Sequence, residues 1–451
     1  MPMQRILAID TLNEIGETVL VKGWVNTRRD HGKIVFLDLR DRTGLLQIVM
    51  TPDLALDIHA EDVISVEGKI QSRPEKLVNP KITTGKVEIS AVNVHVISKS
   101  AELPFDMSKN DLDLQLPTLL DNRSLTLRHP KIKTIFKVQE QLAEQFRIAA
   151  REIGCTEIFP PTVSASSTEG GAEVLPVDYF GYKAFMVQSP QLYKQMLVGI
   201  FERVFLISHI YRTEPSITTR HLVESIQLDC EIGFIDSFDD LLDSLEFVFS
   251  QTIKLTQEKC AQGLDLLGVT HSRIPSHTPR LKMREAQEII LKRTGIDHRS
   301  EPDLMPEDER EICKWALEEH DSDLVTITHF PTQKRAFYSL PDPKNPEYCL
   351  SYDLLYKGLE ISSGAQRIHD YQQLVDTIKA RGMDPKNFEM YLQAFRYGMP
   401  EHGGFSYGLE RTTMKLLDLS NIREASLYPR DMERVDFRLA ELFPAPNKDL
   451  V

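Results

Sequence analysis

Residues 403–417 read GGFSYGLERTTMKLL, and NIREASLYPRD follows at 421–431. Small residues lead up to Glu410, Arg411 and a helix, which lets a backbone and a guanidinium approach a flat ligand closely. Taken alone, a glycine-rich turn into a helix is weak evidence. Its meaning comes from the rest of the chain. There is no GxGxxG and no GxxxxGK[ST] in the sequence, so neither glycine cradle for phosphates is available. A nucleotide enzyme built here has to hold phosphate with arginines.

Upstream, residues 211–225 read YRTEPSITTRHLVES. Arg212, Glu214, Arg220 and His221 lie close together, and Pro215, Ser216 and two threonines mark a loop between strands. Guanidinium forks suit phosphate and carboxylate oxygens, although a salt-bridged hairpin would use the same residues. Further upstream, REIGCTEIFPPTV at 151–163 reads as a helix end, a strand and a proline. The helix entering it has Ile135, Val138, Leu142, Phe146 and Ala149 at helical steps and stops near Gly154. Strand-like runs at 202–214, 225–235 and 348–364 alternate with amphipathic helices.

The first hundred residues differ in texture. TVLVKGWV, KIVFLDLRD, LLQIVM, DVISVEGKI and KVEISAVNVHVI read as five short strands, with DRTG as a turn. Five strands in this length predict a small barrel of the OB type over 1–102. Residues 103–132 are polar and proline-punctuated and read as a hinge. The expected fold is therefore α+β, with a second domain over 133–451.

Composition sets limits. With 451 residues, 41% hydrophobic and 27% charged, the chain is globular and long enough for more than one core. No apolar run is long enough to span a membrane, and no signal-like start is seen. Five scattered cysteines argue against a disulfide framework or zinc site and fit a reducing cytoplasm. A net charge of −14 is unexpected for a nucleic-acid binder, but Arg28 with Arg29, and Arg123, Arg128, Lys131 and Lys133, cluster locally.

Taken together and in this order, the three segments resemble class II aminoacyl-tRNA synthetases of the aspartate, asparagine and lysine subgroup over essentially the whole chain. The resemblance implies motif 1 over about 135–163 including Pro161, motif 2 over about 204–232 and motif 3 over about 403–430. STEGGAEV, QSPQLYKQM, LDCEIGFI, LEISSGAQR and FRYGMPEHGGF are closest to the aspartate enzymes, in the archaeal form without the bacterial insertion. GWVNTRRDHG in the barrel looks bacterial instead.

This resemblance implies roles. Lys194 and Arg367 would clamp the substrate β-carboxylate, with Asp229 orienting them. Glu169 and Gln191 would surround the substrate ammonium, and Ser363 would border the same pocket. Arg212 would bridge the substrate carboxylate and the α-phosphate, making it and Arg411 the catalytic pair. Glu214, His221, Leu222, Glu360, Gly408 and Arg411 would bind ATP, and Asp353, Glu360 and Ser363 would hold Mg²⁺. In the barrel, Arg28, Phe36 and Gln47 would meet the tRNA anticodon. The expected activity is aspartate–tRNA ligase acting on ATP, L-aspartate and tRNA(Asp), as a homodimer through motif 1. Alternatives are an enzyme that also charges tRNA(Asn), an asparaginyl-tRNA synthetase and an inactive or regulatory relative. The sequence departs from the family at Ser225 and Ile226, where most relatives have an aromatic beside the adenine.

Overall fold

The computed structural model describes residues 3–165, 174–213 and 218–439. The chain divides into two compact units, residues 1–114 and 115–451.

The first unit is a closed five-stranded barrel: β1 (Thr18–His31), β2 (Ile34–Asp41), β3 (Gly44–Met50), β4 (Val63–Ser72) and β5 (Val87–Ser98), in the order β1-β2-β3-β5-β4. Strict alternation drives it. Val35, Leu37 and Leu39 face inward against Leu46, Ile48, Ile64, Val66 and Ile89, while Phe36, Asp38 and Arg40 lie on the other face and are less buried. A parallel pairing of β3 with β5 closes the barrel, so no edge is left open.

The second unit is built on an eight-stranded sheet among the described residues. Its strands are β6 (Thr156–Glu157), β7 (Arg203–Tyr211), β8 (Glu224–Gly233), β9 (Arg280–Lys282), β10 (Leu324–Thr328), β11 (Ser351–Tyr356), β12 (Leu359–Gln366) and β13 (His402–Gly408). The order is β9-β10-β11-β12-β13-β8-β7-β6. It is antiparallel through the middle, with one parallel pair at each edge. Helices α1 (Pro130–Glu152) and α3 (Phe238–Lys259) cover one face. The helical spacing of Ile135, Val138, Leu142, Phe146 and Ala149 is the buried stripe of α1, as expected. Phe146 meets Phe205 and Tyr407 edge-on, and Phe249 meets Tyr356 and Tyr407 in the same way. Aromatic packing of this kind fixes the sheet against the helices. Two further helices matter below: α2 (Gln191–Phe201) and α4 (Leu409–Leu416).

Candidate active site

Strand β8 buries Leu228, Cys230 and Ile232 against the helices, so its alternate residues Gln227, Asp229 and Glu231 stand on the opposite face. Cross-strand register extends them into rows. Asp353 pairs with Ser363, Ser363 with Ser406, and Ser406 with Asp229. In the next row Ala365 pairs with Gly404, and Gly404 with Glu231.

Helix α2 delivers Gln191 and Lys194 to this face. Lys194, 1% exposed, donates from Nζ to Asp229 Oδ1 at 2.7 Å and stands 3.5 Å from Glu231 Oε2. Arg367, just beyond β12, donates from Nε to Glu231 Oε1 at 2.9 Å and from Nη2 to Gln191 Oε1 and Gly404 O, each at 3.2 Å. Gln191 Nε2 donates to Glu231 Oε2 at 3.2 Å and closes the ring. Burial pushes the Asp229 carboxyl up, and Lys194 offsets only part of that. Burial also works against Glu231, but Arg367 and Lys194 outweigh it and hold that carboxyl below its ordinary range. Gly404 is required here, because a Cβ would overlap the Glu231 carboxylate and crowd the Cys230 carbonyl.

A neutral layer supports the ring. Arg367 N donates to His402 O at 2.8 Å. Burial brings the His402 imidazole down to about 4, so Nδ1–H donates to Pro400 O at 2.8 Å and Nε2 accepts from Gln195 Nε2 at 3.0 Å. Gln195 Oε1 in turn accepts from the Tyr391 hydroxyl at 3.1 Å.

The cavity over these residues has a volume of ≈ 330 Å³. Of the residues expected from the sequence, Gln191, Lys194, Arg212, His221, Leu222, Glu360, Ser363, Arg367, Gly408 and Arg411 line it. Asp229 joins through Lys194. Arg212 extends the β7–β8 hairpin, its N–H donating to Val223 O at 2.8 Å, and its side chain is exposed. His221 Nδ1 is 2.6 Å from Thr218 Oγ1. Arg411, on α4, donates from Nη1 to Glu360 O at 3.2 Å and from Nε to Arg220 O at 3.4 Å. Glu410 beside it accepts the Ile226 N–H at 3.0 Å, with its buried carboxyl pushed up to about 7.

Asp353 shares its sheet face with Ser363 but is not among the residues that line the cavity. Its Oδ2 accepts from Arg335 Nη2 at 2.7 Å, while the buried Oδ1 has no hydrogen-bond partner among the described residues. Burial, with the Glu360 charge adding to it, pushes Asp353 up to about 7 despite Arg335. No three His, Cys, Asp or Glu side chains come together as a metal site among the described residues. Glu169 and Glu214 lie outside the described residues.

Sequence reasoning placed Arg220 in the phosphate-suited loop without giving it a role, and left Glu231, Arg335 and Glu309 out of the expected site. Alternation along β8 would have found Glu231. Glu309, on the helix Pro306–His320, accepts the Glu360 N–H at 3.1 Å and lies 3.7 Å from Arg220 Nη1. Nothing local marks it, since its partners are distant in the chain.

In the barrel, Phe36 and Gln47 fall on one face, Phe36 opposite Arg29 and Val49, Gln47 opposite Asp38 and Glu88. Phe36 is not a core residue and meets His31 edge-on at 5.7 Å. Gln47 is buried and donates to Glu88 Oε2 at 2.8 Å. Arg28 pairs with the inward Leu37 and spends its guanidinium on Asp30, Ala55 O and Ile58 O. The structure thus groups Phe36 with Arg29 rather than with Arg28.

Residues 115–432 match the family described as tRNA synthetases class II (D, K and N), and residues 19–97 match the OB-fold nucleic acid binding domain. The aspartate–tRNA(Asp/Asn) ligase of Thermus thermophilus is 40% identical over 96% of this chain and 99% of its own length. The aspartate–tRNA(Asp) ligase of Pyrococcus abyssi is 38% identical over 93% and 96%. The asparaginyl-tRNA synthetase of Pyrococcus horikoshii with asparaginyl-adenylate superposes with a TM-score of 0.85 at 31% identity, covering 94% of this chain and 97% of that one. With its barrel, its arginine-lined cavity and these matches, the chain belongs to the class II tRNA synthetases of the aspartate, lysine and asparagine group.

Proposed function

We propose that the chain is an aspartate–tRNA ligase: it activates L-aspartate with ATP and passes the aspartyl group to the 3′-terminal adenosine of tRNA(Asp). The observation that carries this is the buried ring of Lys194, Asp229, Glu231 and Arg367 at the floor of an arginine-rimmed cavity. An ammonium and a guanidinium held there suit a second carboxylate, whereas an amide would leave cationic donors poorly paired in a desolvated pocket.

In the first step an oxygen of the substrate α-carboxylate attacks the α-phosphorus and pyrophosphate leaves. Arg212 bridges carboxylate and α-phosphate and meets the charge building there, a term commonly worth about 3 kcal/mol when removed. Arg411 and His221 hold the γ-phosphate end, Glu214 reads the adenine amino group, and Leu222 and Gly408 border the base. Gln191, with Glu169 and Ser363, surrounds the substrate ammonium. No strong side-chain base is needed, because positioning and electrostatics suffice for this chemistry.

The donor set fits a hard divalent cation: among the described residues Asp353 has a buried oxygen without a hydrogen-bond partner, and burial together with the Glu360 charge disfavours ionisation of both Asp353 and Glu309. Asp353, Glu360 and Ser363 would hold Mg²⁺, which would neutralise charge on the triphosphate. On this reading residues 1–102 form the anticodon domain, 103–132 the hinge and 133–451 the catalytic domain. The anticodon meets Phe36 and Gln47, with Arg28 behind them, and two copies pair through motif 1. The cytoplasm is the working compartment.

Aspartate-dependent exchange of pyrophosphate into ATP tests the activity, with exchange on asparagine alone as the outcome that overturns it. A second reading, charging of tRNA(Asn) as well, is favoured by the name of the Thermus relative. Aspartylation of purified tRNA(Asn) decides it.

A further inference from the structure

The loop that brings Arg220, His221 and Leu222 to the cavity is tied down at three backbone points, all to one later segment. Ile422 N donates to Thr219 O at 2.8 Å, Arg423 Nη1 to Thr218 O at 2.9 Å, and Val223 N to Arg430 O at 2.8 Å. Residues 422–430 are therefore the shelf on which this loop rests, and Ile422 itself reaches the cavity.

The shelf is held by two short helices, Leu116–Asp121 and Arg123–Thr126, at the start of the second compact unit. Arg123 is 3% exposed. Its Nε donates to Leu427 O at 2.9 Å, and its Nη2 to Glu424 O at 3.0 Å and Ser426 O at 2.7 Å. Its guanidinium also sits 5.3 Å from the centre of the Phe136 ring. A buried cation whose hydrogen bonds go to three carbonyls of one short stretch fixes backbone and does little else. Asp121 adds a second hold, accepting from both Arg434 and Arg438. Arg423 ties that end back to the shelf through Asp431 Oδ2 at 2.5 Å.

We propose that Arg123 is a positioning residue for the nucleotide: by fixing 422–430 it sets where Arg220, His221 and Leu222 stand. The proposal rests on the ATP-binding reading of the cavity. It assigns a role in substrate geometry to a side chain that does not line the cavity.

The test compares full-length wild type with Arg123→Gln, Arg123→Lys and Asp121→Asn. ATP affinity is measured by calorimetry with Mg²⁺ present, and KM for ATP and for aspartate separately in pyrophosphate exchange, per titrated active site. Arg123→Gln should weaken ATP about tenfold while the aspartate KM stays within about twofold, and Arg123→Lys should fall between. Asp121→Asn, at an exposed position, should weaken ATP about threefold and keeps the test open if the Arg123 variants do not fold. A lower melting temperature with unchanged ATP affinity per active site would mean a purely structural role and overturn the proposal. Wild type that binds ATP but does not exchange with aspartate would sink the aspartate reading alone, because the calorimetric comparison still stands.

Discussion

Lys194 and Asp229 are joined at 2.7 Å, the ammonium 1% exposed and the carboxylate fully buried. Removing one partner of such a pair leaves the other charge buried and costs about 3–5 kcal/mol. Lys194→Met should therefore lose both aspartate activation and stability. Adding Asp229→Asn should restore most of the melting temperature and none of the exchange activity. If the double variant regained exchange, Lys194 would not be the carboxylate clamp.

Gly404 makes a second test of the same ring. Its missing side chain makes room for the Glu231 carboxylate that Arg367 grips. Gly404→Ala should displace Glu231 and raise KM for aspartate by about a hundredfold, given the cost of ångström-scale misplacement. KM for ATP should change far less. Steady-state exchange kinetics with each substrate varied in turn will show it.

His402 gives a pH signature. Its folded value of about 4 lies below the ordinary 6.5, so the unfolded chain takes up a proton first on acidification. The contribution is complete above the unfolded value and is lost as pH falls toward the folded one. Between about pH 7 and pH 5 the stability of wild type relative to His402→Gln should drop by about 2 kcal/mol. Parallel denaturant melts at the two pH values measure it; equal slopes would count against a neutral, buried imidazole.

Phe36→Ala should leave pyrophosphate exchange untouched and weaken tRNA by about 1–3 kcal/mol, the usual worth of one base on an aromatic ring. Arg29→Gln should act in the same direction. Arg28→Gln should mainly lower the melting temperature, since Arg28 holds the carbonyls of Ala55 and Ile58. Filter binding and melting curves separate the three.

Much of this was legible in the sequence because period and burial coincide. The alternation in IVFLDLRD became a barrel strand with Val35, Leu37 and Leu39 inside, and the stripe from Ile135 to Ala149 became the buried face of α1. The cavity residues were found through resemblance rather than period, as Lys194 and Arg367 carry no local mark. Long-range partners were the illegible part. Glu309 reaches Glu360 and Arg123 reaches the carbonyls of 424–427 across long stretches of chain, and no window of sequence contains both ends. Arg28 was legible as basic but not in direction, because its facing depends on the register of β1 with β2.

The four charges of the floor ring also have a consequence for proton stoichiometry. Lys194 and Arg367 balance Asp229 and Glu231, so a β-carboxylate arriving among them brings one negative charge in excess. Arg367 and Lys194 hold the Glu231 carboxyl below its ordinary range against burial, whereas burial pushes the Asp229 carboxyl above its own and makes it the readier of the two to take a proton. Aspartate should therefore bind with uptake of a proton, shared between Asp229 and the ligand, and asparagine should bind without one. Binding enthalpies in two buffers of unlike ionisation heat would differ for aspartate and agree for asparagine. Selection for an acidic side chain would then strengthen as pH falls, using the medium's own protons to complete the match.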